Sequence, residues 1–580
     1  MSITYQGLSA RGPASGGSEV AMLKTSLITF VTFALLTVSQ SALAQQLPNA
    51  GGQIQQIPPP PVLQKSIPDI RIEQREAQPG PASVGEKVLV KSLHVTGATK
   101  FSEAELISAA DFKPGSELDL AGLRALAAKI SDYYNSRGYF VAQAYLPAQD
   151  ISEGAITIAV IEGRYGKVTL HNETNVSDDL PNNVLEGLDG GEVVATAPLE
   201  RRLLLLSDIP GVEVKSTLAP GSEVGTSDLT VDVTPGRRVT GSLEADNAGN
   251  PYTGAYRVGG TVNFNEPLGY GDVATLRALS STTGGLNYVR GSYQAQLYDA
   301  TVGIAYSGLW YRLGRQFSGL DARGTANIAS VYGSYPLIRS RSNNLYALLD
   351  FDARTFQDKT GVPPTVSDRE ARVLIAGLYG DHSDTFGGGG FSSFSLNWSF
   401  GNLDIQTPAV MAADAASARS NGSYNKLGFD AARLQTVTDR LSLYVDVRGQ
   451  IASKNLDTSE KMELGGAYAV RAYPEGESFG DQGYVATLEA RFLLPKLSER
   501  LPGEMHLIGF IDTGTITVNE TPWTTGPNRR TLSGAGIGLT WADYNNFVFK
   551  AYYARKLGDE VAISAPDSPG RVWVQIVKFL

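Results

Sequence analysis

The stretch LSLYVDVRG, residues 441–449, alternates between apolar and polar side chains. In an extended strand its leucines and valines lie on one face, and Asp446 and Arg448 lie on the other. The same period of two recurs in LYALLDFDAR, residues 345–354, and in YVATLEARFLL, residues 484–494. These segments are predicted to be strands with one apolar face and one wet face.

The whole region from residue 238 to residue 580 follows this pattern and contains sixteen strand-like segments. Each has about 9–13 residues, which is the length of a transmembrane β-strand. A soluble sandwich also alternates, so the connections have to decide between the two architectures.

The connections differ in length according to the strand that they follow. Those after odd-numbered strands tend to be long, as at residues 312–324, 356–370, 401–423, 469–483, 514–531 and 555–570. Those after even-numbered strands are mostly short, as at residues 265–272, 297–303, 340–344, 436–440 and 542–546. Short periplasmic turns and long external loops are typical of outer-membrane barrels. We therefore predict an all-β, C-terminal, 16-stranded antiparallel transmembrane barrel over residues 238–580, with both of its ends on the periplasmic side.

The region before the barrel is predicted to hold two small α+β modules, residues 88–163 and 164–237. Each follows the order strand, helix, helix, strand, strand, and the repetition makes the assignment stronger than either copy alone. In the first module Ser102 and Glu105 form a capping box at a helix start, and Asp119 is placed to cap the next helix.

The N-terminal region has the features of an exported protein. After Met22, a candidate start, the chain combines a positive charge, a short apolar run and a small-residue cleavage site that ends at Ala44. This pattern is that of a secretory signal peptide, so we expect residues 1–44 to be an extension and a signal peptide.

Residues 45–87 are polar and rich in proline, which favours an extended linker. Within them QQLPNAGGQIQQ is the only candidate for a helix. Pro48, Gly51 and Gly52 make it a poor helix, so we expect a linker here.

Composition argues against several classes of function. The chain has no cysteine, so disulfides, thiolate metal sites and cysteine nucleophiles are excluded. Its net charge of −10 argues against nucleic acid as a partner. Its four histidines are scattered without an HExxH motif, and the glycines of SGAGIG, residues 533–538, lie in a predicted strand, where they favour packing over phosphate binding. We therefore expect no catalytic residue, no metal and no cofactor.

Several longer motifs resemble those of one family. YYNSRGYFVAQAYLPAQDI (residues 133–151) and LLLLSDIPGVEVKSTLAPGS (residues 203–222) resemble its periplasmic POTRA modules. LGGAYAVRAYPEGESFGDQGY (residues 464–484) is similar to its signature loop, and GFIDTG (residues 509–514) is similar to its strand motif. From about residue 88 to residue 580, the chain thus resembles the outer-membrane transporters of two-partner secretion, the haemolysin secretion/activation protein family.

The resemblance implies a functional loop and a lumen residue that pairs with it. The positions that it implies are Val470, Arg471, Ala472, Tyr473, Asp512 and Gly514. In this family the loop folds back into the barrel and its arginine meets the strand aspartate, which implies a pair between Arg471 and Asp512. From the residues alone, the simpler interpretation is a solvated loop arginine and a separate lumen carboxylate.

Two departures from the family pattern stand out. Ala472 occupies the usual glycine of the loop motif, and alanine would be strained there if the position required a positive φ. The chain also ends in Phe579 and Leu580 rather than in a terminal aromatic residue.

The resemblance implies a transporter that recognises a large unfolded, β-rich exoprotein of the haemolysin or adhesin type through its POTRA modules. It would secrete this client through a monomeric barrel set in outer-membrane lipid. Members of this family often have an N-terminal helix that plugs the barrel, so the resemblance implies that residues 45–87 are either a linker or a weak plug segment. An edge strand of a POTRA sheet is suited to accept the client by strand addition. Two alternatives remain: an assembly factor for other barrels, which usually has more periplasmic modules, and a barrel enzyme such as a lipase or protease.

Overall fold

The computed structural model describes residues 47–62, 68–72, 87–151, 153–496, 498–543 and 545–580. The predicted extension and signal peptide, residues 1–44, lie outside the described residues, as does much of the predicted linker. Within the described residues, the model contains no helix with the length and apolarity required to span a bilayer.

The described part of the chain begins with a short segment that lies inside the barrel. Helix α1 (Ala50–Gln55) is capped by Asn49, whose side chain accepts a 2.9 Å hydrogen bond from the backbone of Gly52. Gly51, expected to disfavour a helix, is required for packing, because a Cβ on Gly51 would lie 2.8 Å from the backbone nitrogen of Ser459. A linker strand, β1 (Asp69–Ile72), follows.

The first module has the predicted order of elements, with the first predicted strand divided into two and one additional strand. Its elements are β2 (Val88–Val90), β3 (Ser92–Thr96), α2 (Glu103–Ala109), β4 (Ser116–Leu118), α3 (Leu120–Ser136), β5 (Gln143–Tyr145) and β6 (Ala155–Ile161). Both predicted caps are present, since Ser102 accepts from the backbone of Glu105 at 3.3 Å and Asp119 accepts from that of Gly122 at 2.8 Å. The unpredicted β4 pairs with β2, and β5 is only three residues long.

The second module repeats the order. Its elements are β7 (Arg164–Asn172), α4 (Asp179–Leu185), α5 (Thr196–Asp208), β8 (Val212–Pro220) and β9 (Thr226–Pro235). Its sheet has the order β1-β8-β9-β7, so the linker strand covers the β8 edge. The sheet of the first module has the order β3-β6-β5, which leaves β5 at an edge.

The remainder of the chain forms the predicted closed antiparallel barrel of sixteen strands. The strands are β10 (Val239–Asp246), β11 (Arg257–Asn265), β12 (Val273–Ser281), β13 (Leu286–Leu297), β14 (Ala300–Arg312), β15 (Arg323–Arg339), β16 (Asn343–Gly361), β17 (Pro364–Asp384), β18 (Gly390–Ile405), β19 (Gly422–Thr436), β20 (Leu441–Ala452), β23 (Gln482–Leu493), β24 (Glu504–Thr517), β25 (Arg529–Asp543), β26 (Phe547–Lys556) and β27 (Gly570–Phe579). The two intervening strands, β21 (Met462–Glu463) and β22 (Phe479–Gly480), form a hairpin inside one connection. The barrel closes where β10 pairs with β27, from Ser242 opposite Phe579 to Asp246 opposite Gln575.

The alternation found in the sequence separates the outer wall from the lumen. Val445 and Phe351 are 43 % and 44 % exposed on the outer wall, whereas Asp352 and Glu489 are buried on the inner face. The apolar residues therefore face outward, where lipid would lie, and the charged residues line the interior.

The expected strand lengths were wrong on one side of the barrel. Strands β15 to β19 contain 17, 19, 21, 16 and 15 residues. Residues 356–370, predicted as a loop, mostly continue β16 and β17, which are joined at Val362 and Pro363. Beyond the apolar band a strand keeps its hydrogen bonds but needs no apolar face, so hydrophobic periodicity underestimates its length. A helix, α6 (Pro408–Ala415), lies in another predicted loop.

The second module lies against two short turns at the end of the barrel where the chain enters. Arg339, at the end of β15, donates hydrogen bonds of 2.8 and 3.0 Å to the two carboxylate oxygens of Asp208, at the end of α5. Arg341 lies 3.4 Å from Glu200 of the same helix, and its backbone nitrogen donates to that carboxylate at 2.8 Å. These two pairs fix the helix against the turn that joins β15 and β16.

Candidate functional site

The connection between β20 and β23, residues 453–481, folds back into the barrel. It contains the β21–β22 hairpin and a single 3₁₀ turn at Thr458–Glu460. Val470, Ala472 and Tyr473 are each 0 % exposed at its tip. The tip is therefore part of a packed interior, and we call residues 453–481 the lumen loop.

Arg471 is held by a single aspartate on the inner wall. Its Nε and Nη2 donate to the two oxygens of Asp512 at 2.8 and 2.7 Å, and its backbone nitrogen donates to the same carboxylate at 3.1 Å. Asp512 is 0 % exposed, so the pair is shielded from water. Such a planar, bidentate arrangement fixes the direction of the guanidinium as well as its position.

A second carboxylate completes the environment of Arg471. Its Nη1 donates to Glu489 at 2.8 Å, and the hydroxyl of Thr487 donates to Asp512 at 3.0 Å. Arg491 in turn donates to the other oxygen of Glu489 at 2.9 Å. The cluster thus contains two cations and two carboxylates.

Sequence reasoning missed Glu489 as a partner of Arg471 and Thr487 as a donor to Asp512. Alternation had placed both on the wet face of the segment 484–494, which was the available signal. Only the register adds that Thr487 lies opposite Asp512 in the β23–β24 ladder.

Aromatic side chains surround the guanidinium. Its central carbon lies 3.5 Å from the centre of the Phe510 ring and 5.0 Å from that of Tyr552. The indole of Trp573 donates a 2.7 Å hydrogen bond to the carbonyl oxygen of Arg471. Ring faces attract a cation most strongly where water is excluded, so these rings further stabilise the position of Arg471 against the wall.

The alanine at position 472 has no backbone strain, because its φ is not positive. Its Cβ instead faces the inner wall at Gly534, where an added Cβ would lie only 2.5 Å away. Gly514 is needed for a similar reason, since a Cβ there would lie 2.7 Å from a methyl carbon of Leu464. These glycines of the wall allow the loop to approach the strands closely.

The other residues of the loop motif are packed around this contact. The Tyr473 hydroxyl donates to the carbonyl oxygen of Glu560 at 3.1 Å, and the Nζ of Lys556 lies 4.6 Å from the centre of the Tyr473 ring. Val470 forms an isolated bridge with Gly465 within the loop.

Further ion pairs connect the lumen loop to the barrel wall. Glu477 accepts from Arg530 of β25 at 2.6 Å, and Glu460 and Asp457 pair with Arg354 and Arg369 of β16 and β17. The loop is therefore tied to the wall on several sides.

The N-terminal segment occupies the lumen beside this loop. Arg257 donates to the carbonyl oxygen of Gln56 at 2.8 Å, and Arg277 donates to that of Pro58 at 2.6 Å. Gln55 donates to the carbonyl oxygen of Thr458, which belongs to the lumen loop, at 2.9 Å. The segment and the loop therefore lie side by side in the lumen and contact each other.

Within the described residues, no three side chains of the histidine, aspartate and glutamate types gather closely enough to hold a metal ion. Several carboxylates of the lumen, among them Asp352, Glu460 and Asp481, lie instead against arginine and lysine partners.

The family model for the haemolysin secretion/activation protein ShlB/FhaC/HecB matches residues 225–541, more than half of the chain. The chain belongs to this family. A second family model, the ShlB-type POTRA domain, matches residues 88–163. The expected family is thus confirmed.

Individual relatives agree with this assignment. The heme/hemopexin transporter protein HuxB of Haemophilus influenzae (strain 86-028NP) is 26 % identical over 450 residues, which cover 77 % of this chain and 79 % of HuxB. The outer membrane transporter CdiB of Escherichia coli O6:K15:H31 (strain 536 / UPEC) is 25 % identical over 82 % of this chain and 80 % of CdiB. The solved structure of CdiB from Escherichia coli superposes with a TM-score of 0.68 at 22 % identity, over 87 % of this chain and 93 % of that one, which shows the shared fold.

This member of the haemolysin secretion/activation family is an outer-membrane transporter of two-partner secretion. Its barrel lies in the outer membrane and its POTRA modules lie in the periplasm. The long connections after odd-numbered strands, the lumen loop among them, therefore originate on the external side.

Proposed function

We propose that this transporter secretes one large, unfolded, β-rich exoprotein of the haemolysin or adhesin type, and that Arg471 keeps the lumen loop in a transport-competent position. The observation that carries the proposal is the buried bidentate pair between Arg471 and Asp512, which joins the loop tip to the barrel wall. Residues 88–163 and 164–237 act as the two periplasmic modules, and residues 238–580 act as the pore.

The strength of this pair follows from burial. Removing one partner of a buried ion pair leaves the other charge uncompensated, at a cost of about 3–5 kcal/mol. Without the Arg471 side chain, the carboxylate of Asp512 would keep Thr487 as its remaining side-chain donor and would have no cationic partner. The tip of the lumen loop would then move away from the wall, or water would enter the space around Asp512.

The first module docks the client in this proposal. In the second module the β8 edge already pairs with β1, and the start of the other edge strand, β7, bridges to Val193 through Arg164, whereas β5 of the first module lies at an edge with Tyr145 45 % exposed. An unfolded client can add a strand to such an edge through its backbone. The second module, held against the barrel through Asp208 and Arg339, links docking to the pore entrance.

The mechanism requires no chemical step, so we propose no enzymatic activity and no cofactor. Folding of the client outside the cell provides the driving force. The closed hydrogen-bonded ladder from β10 to β27 leaves no free strand in the wall, which supports a monomeric barrel embedded directly in lipid.

The test compares the culture supernatant of cells that express the wild type, Arg471→Ala or no transporter. We expect one large exoprotein in the wild-type supernatant, a strong decrease with Arg471→Ala and none without the transporter. Heat-modifiable migration of the purified protein would show that each barrel is assembled.

Arg433→Ala is the matched control. It removes an arginine–aspartate pair, Arg433–Asp384, that lies near the periplasmic end and away from the loop. Normal secretion by an assembled Arg471→Ala barrel would refute the role of the pair. Depletion of many outer-membrane barrels with an unchanged supernatant would support an assembly factor instead.

A further inference from the structure

Three cations form a row across neighbouring strands on the outer wall of the barrel. Arg312 of β14 lies directly opposite Arg323 of β15, and Arg323 lies directly opposite Lys359 of β16. Neighbouring strands are about 5 Å apart, so the row spans about 10 Å. All three side chains point away from the lumen, because they share the parity of exposed residues such as Trp310 and Phe351.

The row lies at the external boundary of the membrane. Ile304 and Tyr306 of β14, both more than half exposed, belong to the outward apolar face of this strand. Trp310 follows, and its ring lies over Gly308 on the outside of the wall. Tryptophan concentrates at membrane interfaces, so Arg312, two residues further toward the external loop, reaches the polar head-group layer.

This arrangement is unfavourable without an anion. Like charges directly opposite one another on adjacent strands destabilise a sheet. One carboxylate, Asp321, lies nearby: it is 2.9 Å from Arg323 and 4.0 Å from Arg312. For Lys359, the described part of the chain provides no carboxylate within ion-pair distance. Among the described residues the three cations therefore share one acid within ion-pair distance, since Asp368, also on the outer face, instead accepts a 2.7 Å hydrogen bond from Gln357.

The cations surround a groove shaped by both polar and apolar groups. The groove has a volume of about 300 Å³ and is lined by Trp310, Arg312, Arg323, Thr325, Gln357 and Lys359. Guanidinium forks match phosphate oxygens in a bidentate manner, and lysine adds a point charge. The indole below them is suited to the saccharide or acyl portion of a lipid.

We propose that this row is a binding site for the phosphorylated saccharide head group of an outer-leaflet glycolipid. The site rests on the outer-membrane location and on the cross-strand register, and it is independent of the role of Arg471. It gives the outer-membrane lipid a defined contact on β14 to β16, in addition to the apolar band. Lys359 belongs to β16, one strand of the long β16–β17 hairpin. A bound lipid would therefore stabilise the outer part of this hairpin against β14 and β15.

The experiment uses the full-length protein, delipidated in detergent, with lipid A as the probe. Native mass spectrometry would follow binding of bisphosphorylated lipid A, of its dephosphorylated form and of inorganic phosphate as a competitor. The variant is Arg312→Gln/Arg323→Gln/Lys359→Gln. Each cation near an anionic lipid contributes about fivefold to the affinity, so removing all three is expected to weaken the binding of lipid A by about 100-fold.

The matched control is Lys113→Gln/Arg124→Gln/Lys167→Gln, which removes three exposed cations from the periplasmic modules. It should bind lipid A like the wild type. Unchanged binding by the outer-wall variant would overturn the proposal, and so would equal binding of dephosphorylated lipid A. Displacement by inorganic phosphate at an equal concentration would show a free-anion site rather than a lipid site.

A thermal experiment separates the site from a purely structural role. Without lipid, the triple variant should unfold at the same or a higher temperature than the wild type, because repulsion within the row is relieved. With bisphosphorylated lipid A, only the wild type and the control should gain stability. If the triple variant does not assemble, Lys359→Gln alone provides the test, with an expected loss of about fivefold.

Discussion

Ala472 fills the space that a side chain at Gly534 would need. An added Cβ at Gly534 would lie 2.5 Å from the Cβ of Ala472 and 3.5 Å from its backbone nitrogen. The alanine of the loop and the glycine of the wall are therefore complementary in size. The departure from the family motif at position 472 is accommodated by packing against strand β25, without a strained backbone.

Gly534→Ala is expected to displace the loop tip, at the cost of about 1–3 kcal/mol typical of overpacking. Protease cleavage within residues 453–481 should accelerate and secretion should fall. The double variant Gly534→Ala/Ala472→Gly should restore both, because only one methyl group then occupies the contact. A double variant as defective as Gly534→Ala would disprove the complementarity.

Arg471→Lys is expected to secrete less than the wild type and more than Arg471→Ala. Lysine keeps the charge but cannot donate in a fork to both oxygens of Asp512 while also reaching Glu489. Quantification of the exoprotein in the supernatant, at equal amounts of assembled barrel, checks the order.

Asp512→Ala combined with Arg471→Ala provides a complementary test of the same pair. Most of the damage from Arg471→Ala should come from the buried, uncompensated Asp512 carboxylate. The double variant should therefore protect the loop from protease at least as well as Arg471→Ala alone. Additive damage from the two substitutions would show that they act independently.

Charge reversal at Asp208 or Arg339 is expected to loosen the second module. Because the chain has no cysteine, spin labels can be placed uniquely at Lys167→Cys in the module and at Asp439→Cys in a periplasmic turn. Arg339→Asp should broaden the measured distance distribution, and Arg339→Asp/Asp208→Arg should narrow it again, with a coupling of about 0.5–3 kcal/mol. Lys113→Asp, exposed in the first module, should leave the distribution unchanged.

Acid is expected to weaken the first module through Glu162. Burial opposes the charged form of this carboxyl, but donors from Thr99, Lys100 and Tyr134 outweigh it and lower its pKa below the ordinary value. Because the pKa is lowered in the folded state, the stabilisation is complete above a pH of about 4.3 and is lost as the pH falls through the lowered pKa.

Pulse proteolysis of the modules in urea between pH 7 and pH 3 measures this effect. Glu162→Gln should cost about 1–3 kcal/mol at neutral pH, because buried donors lose their charged acceptor. Its stability should also change less than that of the wild type below pH 5. An identical pH dependence in the two proteins would exclude Glu162 as the group responsible.

The barrel could be predicted because its signal is local. Alternation along 441–449 and 484–494 reports which face of each strand is wet, and the lengths of the connections report the two ends of the barrel. The caps at Ser102 and Asp119 are also local, since each acts on a backbone group three residues away. Each of these features depends on neighbours in the chain, so the sequence contains the whole pattern.

The length of the β16–β17 hairpin and the helix at residues 50–55 could not be predicted well, because both depend on contacts with residues elsewhere in the chain. Beyond the membrane, polar strands and polar loops have the same composition, and only a partner strand distinguishes them. For α1, a glycine lowers helix propensity locally, but Gly51 is required by the backbone of Ser459, which is more than four hundred positions away.

From the sequence alone it was possible to predict the sixteen strands, the apolar and wet faces of those with clear alternation, the two modules and the motif that contains Arg471. Which of these groups meet follows only from the folded chain. Glu489 completes the site because the register of β23 against β24 places Thr487 opposite Asp512, and Gly534 accepts Ala472 because the loop folds inward. Likewise, three separate cations become one row only when Arg312, Arg323 and Lys359 align across strands. Strand register and the inward fold of the lumen loop bring together residues that are far apart in the chain, and local sequence patterns contain no information about such contacts.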